Sequence, residues 1–505
     1  QTIIAAVNGK SIQTSLDIGA QQIVEKYVNG FKEAMGAKNI SVIVANPPTG
    51  EIIAMDGGDR YDLNNPRDLS NVYSEDEIKA MNDEETVDAL NGMWSNFCVT
   101  DAYEPGSVVK PIVMASALEK GAIQETDTFV CDGAQTFGDT MIKCAVYPDA
   151  HGTETLGEVI ANSCNDAMMQ IGAKMGATQF IKAQSLFNFG TRTGIDLPNE
   201  GTGIIHTKDS MGETELACSA FGQGFTSTMI QEINAMSSVI NGGYYYQPHL
   251  VTKILDSSGG TVKTITPTLL KQTISSAISS DIRSYMELSV QQGTSRHSKV
   301  QGYSSGGKTG TAEKYPRGNG KYLVSFIGFA PVDDPAVVIY VVVDEPNVDD
   351  QANSTYAQYI AQGILSELLP YLNVTPDEAE NGTVPETELW EGFKGHLKST
   401  TSSSSLNSDG NLVDADGNLI DWDGNRIDEN GYLLDSNGDH ILDDSGNYKM
   451  STNLVAGSGS TEADASGDAV SNPDAPAPLE DDEAETTEDN NAESDGITNE
   501  EAGLE

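Results

Sequence analysis

The sequence predicts an α+β fold in which one antiparallel sheet of about five strands is flanked by helices. Near the N-terminus, ISVIVA and EIIAM are short apolar segments joined by PPTG, which predicts a hairpin over 40–55. Three further strands are predicted around 307–313, 322–329 and 336–343, and the last is apolar at nearly every position. We expect these two groups to pair in one sheet, with a mainly helical lobe inserted between them.

Apolar periodicity predicts the helices of this lobe. In residues 107–120 one face is apolar, and Gly121 suits the end of a helix. Further helices are predicted around 156–175 and 227–241. An amphipathic helix over 356–372 is expected to complete the body of the fold.

The chain carries a formal net charge of −48, and this charge is unevenly distributed. Residues 375–505 contain 33 acidic and 4 basic residues, whereas residues 1–374 contain 43 and 24. With so few basic side chains to neutralise phosphates, the composition argues against nucleic acid as a partner.

Composition divides the chain into four regions. Residues 1–374 form the predicted body, and 375–408 a linker that contains a run of Ser and Thr. Residues 409–450 hold a seven-residue repeat of the type DGNLVDA, DGNLIDW, which favours solvated, hairpin-like units. Its Asp and Asn oxygens raise a calcium hypothesis, although the ligand spacing of an EF-hand is missing. Residues 451–505 are acidic and poor in apolar residues, which predicts disorder.

Five cysteines occur without a C-x-x-C pair, which predicts neither a zinc site nor a disulfide framework. They are Cys98, Cys131, Cys144, Cys164 and Cys218. A single bridge between Cys131 and Cys144 is one possibility. No apolar run is long enough for a membrane span, and the opening segment from Gln1 resembles the middle of a domain. We therefore expect that an N-terminal portion precedes it.

Three short motifs could carry chemistry: SVVK at 107–110, SCN at 163–165 and KTGT at 308–311. Each is weak on its own, because the chain repeats the first pattern at 305–308 and the second at 405–407. Their positions in the predicted fold distinguish them from chance matches.

Ser107 lies at a predicted helix start, and Lys110 follows one turn later on the same face. A serine hydroxyl needs a base, and a lysine can serve if burial or a second cation such as Lys308 lowers its pKa. The backbone N–H of Ser107 could also stabilise an oxyanion. Ser163 and Asn165, at an expected helical bend, could relay a proton and orient an amide. The alternatives are a helix cap, a solvated lysine and local capping.

KTGT is predicted at the head of a strand. Lys308 and Thr309 can bind a substrate carboxylate by charge and by hydroxyl. Gly310 lacks a Cβ, so that another chain could approach the backbone there. The N–H of Thr311 could be a second oxyanion donor. The alternative is a glycine-rich β-bulge.

The ordered set S-x-x-K, S-x-N and K-T-G resembles that of serine β-lactamases and penicillin-binding proteins. Longer segments are similar to class B penicillin-binding proteins, the monofunctional transpeptidases: TGEIIAM, AYEPGSVVKP, HGTETLGEVIANSCN, RTGIDLP, AFGQG, NGGYYYQPHLV and GGKTGTAEK. The resemblance spans roughly residues 9–372 and implies a β-lactamase/transpeptidase-like fold.

The resemblance also implies a role for each motif residue. Ser107 would be the acylated nucleophile, Lys110 its general base and Ser163 a proton relay. Asn165 would contact the peptide amide of the substrate, and Lys308 would be the electrostatic partner of the serine cluster. Thr309 and Thr311 would hold the terminal carboxylate and the acyl oxygen. The implied reaction cross-links peptidoglycan stem peptides at D-Ala-D-Ala, without cofactor or metal, and β-lactams would inhibit it by acylating Ser107.

Further expectations follow from the same resemblance. It implies an N-terminal membrane anchor outside this chain, a location at the extracytoplasmic face of the bacterial membrane, and a SEDS-type glycan polymerase as partner within the division or elongation machinery. RTGIDLP weakly favours a division or sporulation enzyme.

Three alternative functions stay open: a D,D-carboxypeptidase, a serine β-lactamase and a non-catalytic β-lactam sensor. A β-lactamase needs a base that activates water, and the nearest acidic cluster after SCN is GETEL at 212–216, followed by Ala217. The scattered histidines (His151, His206, His249 and His297) are expected to be structural and do not suggest a charge-relay triad.

Overall fold

A computed structural model describes residues 9–58, 61–379 and 387–397, together with short segments between 405 and 450. The chain divides into two compact units, Gln1–Lys398 and Ser399–Glu505. Among the described residues, no helix combines the length and the apolar character that crossing a bilayer requires.

The strands, in chain order, are β1 (Ser11–Thr14), β2 (Ala37–Ala45), β3 (Ile52–Asp56), β4 (Ala102–Tyr103), β5 (Thr128–Cys131), β6 (Ala134–Phe137), β7 (Thr140–Lys143), β8 (Gly152–Thr155), β9 (Ser227–Thr228), β10 (Tyr244–Tyr246), β11 (Val251–Leu255), β12 (Thr261–Thr264), β13 (Leu269–Gln272), β14 (Gly306–Glu313), β15 (Tyr322–Ala330), β16 (Val337–Pro346), β17 (Ser405–Leu406) and β18 (Leu412–Val413).

The helices are α1 (Ile18–Ala34), α2 (Glu75–Ala80), α3 (Asp83–Trp94), α4 (Phe97–Thr100), α5 (Lys110–Glu119), α6 (Leu156–Ala161), α7 (Asn165–Leu186), α8 (Glu213–Ala220), α9 (Met229–Ile240), α10 (Ser276–Gln292), α11 (Thr355–Tyr371) and α12 (Glu388–Lys394). Two short 3-10 turns cover Gly106–Val109 and Arg296–Ser298.

The central sheet has five antiparallel strands in the order β14-β15-β16-β2-β3, as the sequence predicts. Alternate residues of β16 face opposite sides. Val341 packs in the cluster that contains α1 and α11, whereas Tyr340 and Val342 pack in the cluster of the helical lobe. Both faces of this strand are therefore covered, which explains its almost continuous apolar sequence.

The inserted lobe is mainly helical, and α9 lies at its centre with every residue buried. The lobe also contains small antiparallel sheets that the sequence did not predict: β5 with β8, β6 with β7 and β10 with β13. A three-stranded sheet joins β1, β11 and β12. Most of these strands have four residues or fewer, which is too short for a clear alternation of apolar and polar side chains.

Two predicted helices differ in detail from those observed. The helix expected at 107 begins as the 3-10 turn Gly106–Val109, and α5 starts only at Lys110. The helix expected over 156–175 is two helices, α6 and α7, separated by a break at Ser163, whose φ is +57°. The break agrees with the bend expected at the SCN motif.

The interpretation of 375–408 as a linker is wrong in its central part. Helix α12 lies in this region, and its Trp390 and Phe393 are buried. Trp390 stacks on Tyr359 of α11 with ring centroids 4.8 Å apart, and Phe393 meets Phe31 of α1 at 5.7 Å. The first compact unit therefore extends past residue 374.

In the second unit, isolated antiparallel bridges recur every seven residues. They join Val413 to Leu419, Ile420 to Arg426, Ile427 to Leu433 and Leu434 to His440. Three apolar residues at the repeat period are buried: Val413, Ile420 and Ile427. These bridges agree with hairpin-like units. Residues 451–505, the predicted disordered tail, lie outside the described residues.

Candidate active site

Ser107 lies half-buried in the 3-10 turn that leads into α5. The preceding Gly106 has φ +64°, and its N–H donates a 2.9 Å hydrogen bond to Gly222 O. A Cβ at Gly106 would lie 2.8 Å from Thr311 O and 3.2 Å from Thr311 N. Only glycine permits this approach. The turn Gly106–Val109, which holds the expected nucleophile and is called the nucleophile turn here, is therefore in direct backbone contact with the KTGT strand.

Lys110 is completely buried at the start of α5. Its Nζ donates to Ser163 O at 2.6 Å, to Ser163 Oγ at 3.1 Å and to Asn165 Oδ1 at 2.6 Å. An ammonium has three protons, and these contacts occupy all of them. The structure thus unites the SVVK and SCN motifs around one buried amine.

Lys308, on β14, is also completely buried. Its Nζ donates to Ser163 Oγ at 2.8 Å and to Thr309 O at 3.0 Å. One hydroxyl therefore contacts both lysines, and the three motifs meet at Ser163. Ser107, Ser163 and Asn165 are only half-buried, whereas both lysines are completely buried.

The surroundings of both lysines lower the pKa of their amines. Burial lowers the pKa of Lys110 to about 8. The pKa of Lys308 lies well below its usual range because of burial and because of the Lys110 charge. A lysine that loses its proton near neutral pH can act as a general base, which an ordinary surface lysine cannot.

Strand β14 forms an edge of the central sheet, where it faces the nucleophile turn. The Thr309 hydroxyl donates to Thr294 Oγ1 at 3.1 Å. A Cβ at Gly310 would lie 3.0 Å from Val108 Cγ1 and 3.2 Å from Pro105 O. The close approach expected at Gly310 is thus made by the nucleophile turn of this same chain.

The family model of the penicillin-binding protein transpeptidase domain matches residues 40–366. The chain belongs to this family. The resemblance to class B penicillin-binding proteins and the expected fold are both confirmed.

Relatives of this transpeptidase domain come from several bacteria. It is 36% identical over 376 residues to stage V sporulation protein D of Bacillus subtilis, covering 73% of this chain and 55% of that protein. It is 26% identical over 381 residues to the probable peptidoglycan D,D-transpeptidase PenA of Neisseria flavescens, covering 74% and 86%. The chain thus spans little more than half the length of the Bacillus relative.

A solved structure gives the same fold. Penicillin-binding protein 3 from Mycobacterium tuberculosis, crystallised as a complex with ampicillin, superimposes with a TM-score of 0.63 at 26% identity. The match covers 76% of this chain and 84% of that one.

Within the described residues of the transpeptidase domain, neither lysine amine hydrogen-bonds to a carboxylate. The hydrogen bonds of Lys110 and Lys308 go to serine, threonine, asparagine and backbone oxygens, and none goes to a carboxylate. The GETEL cluster falls in helix α8, which packs against α7. This arrangement gives no support to the β-lactamase alternative, which requires a base for water.

A cavity of about 990 Å³ opens at the end of β14. It is lined by Tyr103 and Glu104, which precede the nucleophile turn, and by Ala312, Glu313 and Lys314, which follow KTGT. The cavity thus begins where strand β14 ends.

Sequence reasoning missed two features of the site. Thr294 contacts Thr309, and its N–H donates to Ala161 O, but no motif marks it. The second feature is a group of four residues behind the SCN turn: Cys131, Cys144, His151 and Cys164. All five cysteines are free thiols, so the possible Cys131–Cys144 bridge is not formed.

Proposed function

We propose that this chain carries a peptidoglycan D,D-transpeptidase that forms an acyl-enzyme at Ser107. The observation that carries the proposal is the shared hydroxyl of Ser163, which contacts the buried amines of Lys110 and Lys308 next to the nucleophile turn. Together these groups supply a nucleophile, a base with a lowered pKa and a path for protons.

Acylation uses these groups in order. Neutral Lys110 takes the proton of the Ser107 hydroxyl, and Oγ attacks the carbonyl carbon of the penultimate D-Ala. The N–H groups of Ser107 and Thr311 stabilise the oxyanion. The peptide C–N bond then breaks, and the terminal D-Ala leaves as an amine after Ser163 returns a proton to its nitrogen.

Deacylation reverses these proton transfers. The amine of a neighbouring stem peptide attacks the Ser107 ester carbonyl, loses a proton to the lysine–serine cluster and forms the cross-link, which frees Ser107. Thr309 and Thr311 hold the terminal carboxylate and the acyl oxygen during acylation, and the buried amine of Lys308 donates a hydrogen bond to Ser163 Oγ beside them. Asn165 orients the substrate amide. β-Lactams acylate Ser107 in the same way.

The choice of acceptor separates this proposal from a D,D-carboxypeptidase, in which water takes the place of the amine. The similarity to proteins named peptidoglycan D,D-transpeptidases favours an amine acceptor. A non-catalytic β-lactam sensor is disfavoured because every side chain that the chemistry requires is present.

We also infer the setting in which the enzyme works. Its proposed substrate lies outside the cytoplasmic membrane, so we infer that the domain works at the extracytoplasmic face, tethered by a membrane anchor. A SEDS-type glycan polymerase is the partner that would supply new strands. The similarity to stage V sporulation protein D supports a role in sporulation or division.

The test uses a fluorescent penicillin with the wild-type chain and two serine variants. Ser107→Ala should lose covalent labelling. Ser305→Ala, which alters the other S-x-x-K pattern in this body, should keep it. Thermal unfolding of both variants checks that they fold. Labelling of folded Ser107→Ala, or release of the label within seconds in the wild type, would contradict the proposal.

The acceptor is tested with a D-Ala-D-Ala pentapeptide and an added stem peptide that carries a free side-chain amine. A transpeptidase forms the cross-linked peptide and releases D-Ala, and mass spectrometry separates the products. Release of D-Ala without a cross-linked product at saturating acceptor would identify a carboxypeptidase instead.

A further inference from the structure

Four potential metal ligands converge behind the SCN turn. Cys131 ends β5, Cys144 follows β7, His151 precedes β8, and Cys164 caps the N-terminus of α7. One ligand atom from each lies within 4.8 Å of all the others. The three cysteines are almost completely buried, and the histidine is partly buried.

The spacing of these atoms fits a tetrahedral metal. Zinc–sulfur bonds of about 2.3 Å and zinc–nitrogen bonds of about 2.0 Å give tetrahedral edges of roughly 3.8 Å between sulfurs and roughly 3.5 Å from sulfur to nitrogen. Cys144 Sγ lies 3.9 Å from Cys164 Sγ and 3.8 Å from His151 Nδ1. The other pairs lie within 4.8 Å, so movements of up to about 1 Å between ligand atoms would complete the coordination.

A buried carboxylate also lies beside the cluster. Glu154 is 2% exposed, and its Oε2 lies 3.7 Å from His151 Nδ1. Oε1 accepts a hydrogen bond from Asn162, and the Glu154 carboxylate also interacts with the Cys164 thiol. Burying an anionic oxygen beside thiols is costly unless a positive charge compensates it.

We propose that Cys131, Cys144, His151 and Cys164 bind one zinc ion. Three thiolates and one imidazole form a closed four-ligand set, which is typical of structural zinc sites. Soft sulfur ligands disfavour magnesium and calcium. The site is separate from the serine–lysine cluster, because it uses none of the side chains assigned there.

A disulfide explains the cluster less well. Cys144 and Cys164 would have to move from 3.9 Å to about 2.05 Å, and the bond would leave Cys131 and His151 without a role. Zinc uses all four residues.

The ion would position the SCN turn. Cys164 lies between Ser163 and Asn165, so a metal bond to its sulfur fixes the backbone from which both side chains project. Asp166 adds to this link, because its carboxylate accepts hydrogen bonds from Asp132 N at 3.0 Å and from Gln135 Nε2 at 2.8 Å. This positioning role rests on the proposed function, whereas the metal site itself does not.

The metal site is tested on the full chain, purified under reducing conditions without chelators. Mass spectrometry of the metals should find one zinc per chain. Replacement by Co²⁺ should give the sulfur-to-metal and visible bands of a tetrahedral thiolate site. Cys131→Ser should lower zinc content about tenfold or more, while Cys218→Ser, which changes a cysteine outside the cluster, should leave it unchanged.

Several results would overturn the site. They are wild-type protein that holds no zinc and gives no tetrahedral Co²⁺ spectrum, full zinc content in folded Cys131→Ser, or a Cys144–Cys164 disulfide in the freshly isolated chain. The wild-type spectrum decides the matter even if the cysteine variants fail to fold.

The positioning role has its own measurement. Removing zinc with a chelator should slow penicillin acylation about tenfold or more, and adding Zn²⁺ should restore it. An unchanged rate after zinc loss would reject the positioning role alone. A zinc-loaded chain that never acylates would instead reject the proposed function and leave the metal site intact.

Discussion

The Nζ of Lys308 lies 2.8 Å from the Oγ of Ser163, although 145 residues separate them in the chain. The same hydroxyl contacts Lys110 Nζ at 3.1 Å. A hydroxyl can accept a hydrogen bond from one amine while it donates its own proton to another. Ser163 is therefore placed to pass a proton between two buried lysines.

Replacing Ser163 separates its chemical role from its backbone role. Ser163→Ala and Ser163→Gly both remove the shared hydroxyl, so both should slow penicillin acylation by about 10²-fold or more. Because residue 163 has φ +57°, the glycine variant should be more stable than the alanine variant by about 1 kcal/mol.

Stopped-flow acylation and urea unfolding of the two variants provide the measurements. Ser116→Ala, a buried helix hydroxyl bonded to Ile112 O, serves as the control and should acylate normally. Rapid acylation by both Ser163 variants would show that the hydroxyl is not a relay.

Removing the amine of Lys308 tests its role beside Ser163. Lys308→Ala should slow acylation by about 10²-fold or more, because the hydrogen bond from Lys308 Nζ that holds Ser163 Oγ in place for proton transfer is lost. Lys271→Ala is a matched control, since Lys271 is partly buried and bonds Asn188 Oδ1 at 2.6 Å. The measurement is the second-order rate constant of acylation by a labelled penicillin. Equal rate constants for the two variants would show that Lys308 has no role in the mechanism.

The sequence predicted those elements that depend on local pattern. Strands β15 and β16 and the hairpin β2–β3 are apolar segments long enough to be recognised as strands. Because helices fill the chain between the two groups of strands, the sequence also predicted that these groups pair in one sheet. Strands β6 and β7, with the sequences AQTF and TMIK, carry no such pattern. They form because neighbouring segments hold them in place.

The candidate site divides in the same way. Each of its three motifs is contiguous in sequence, so its residues could be named before the fold was known. Thr294 could not be named in this way, because no motif surrounds it. The cluster of Cys131, Cys144, His151 and Cys164 could not be named either, because each of its residues comes from a different segment. The C-x12-C-x6-H-x12-C spacing becomes meaningful only after β5 to β8 bring the four residues together.

Glu232 is expected to make stability depend on pH. It is completely buried, and burial raises its pKa from 4.5 to about 8, while one oxygen accepts a 2.6 Å hydrogen bond from Ser227. The folded state thus binds the proton more tightly than the unfolded state. The protonated Glu232 therefore contributes fully to the free energy of unfolding below pH 4.5. This contribution is lost as pH rises towards about 8, by at most about 1.4 kcal/mol per pH unit.

Glu232→Gln removes this ionisation while it keeps the size of the side chain. The gain in unfolding free energy over the wild type should therefore increase between pH 4.5 and about 8. Urea unfolding at several pH values measures it, and Glu84→Gln, at an exposed helix position, should show no such trend. A constant difference across this range would mean that Glu232 titrates normally.

Helix α12 should contribute to the stability of the transpeptidase unit even though it lies beyond residue 374. Phe393 is 1% exposed and contacts Phe31 of α1, so Phe393→Ala should destabilise the fold by about 3–5 kcal/mol. Val262→Ala, at a half-exposed position on β12, should change stability by less than about 0.5 kcal/mol. Urea unfolding followed by tryptophan fluorescence measures the stability of both variants. Equal unfolding midpoints would show that α12 does not pack on α1 and α11.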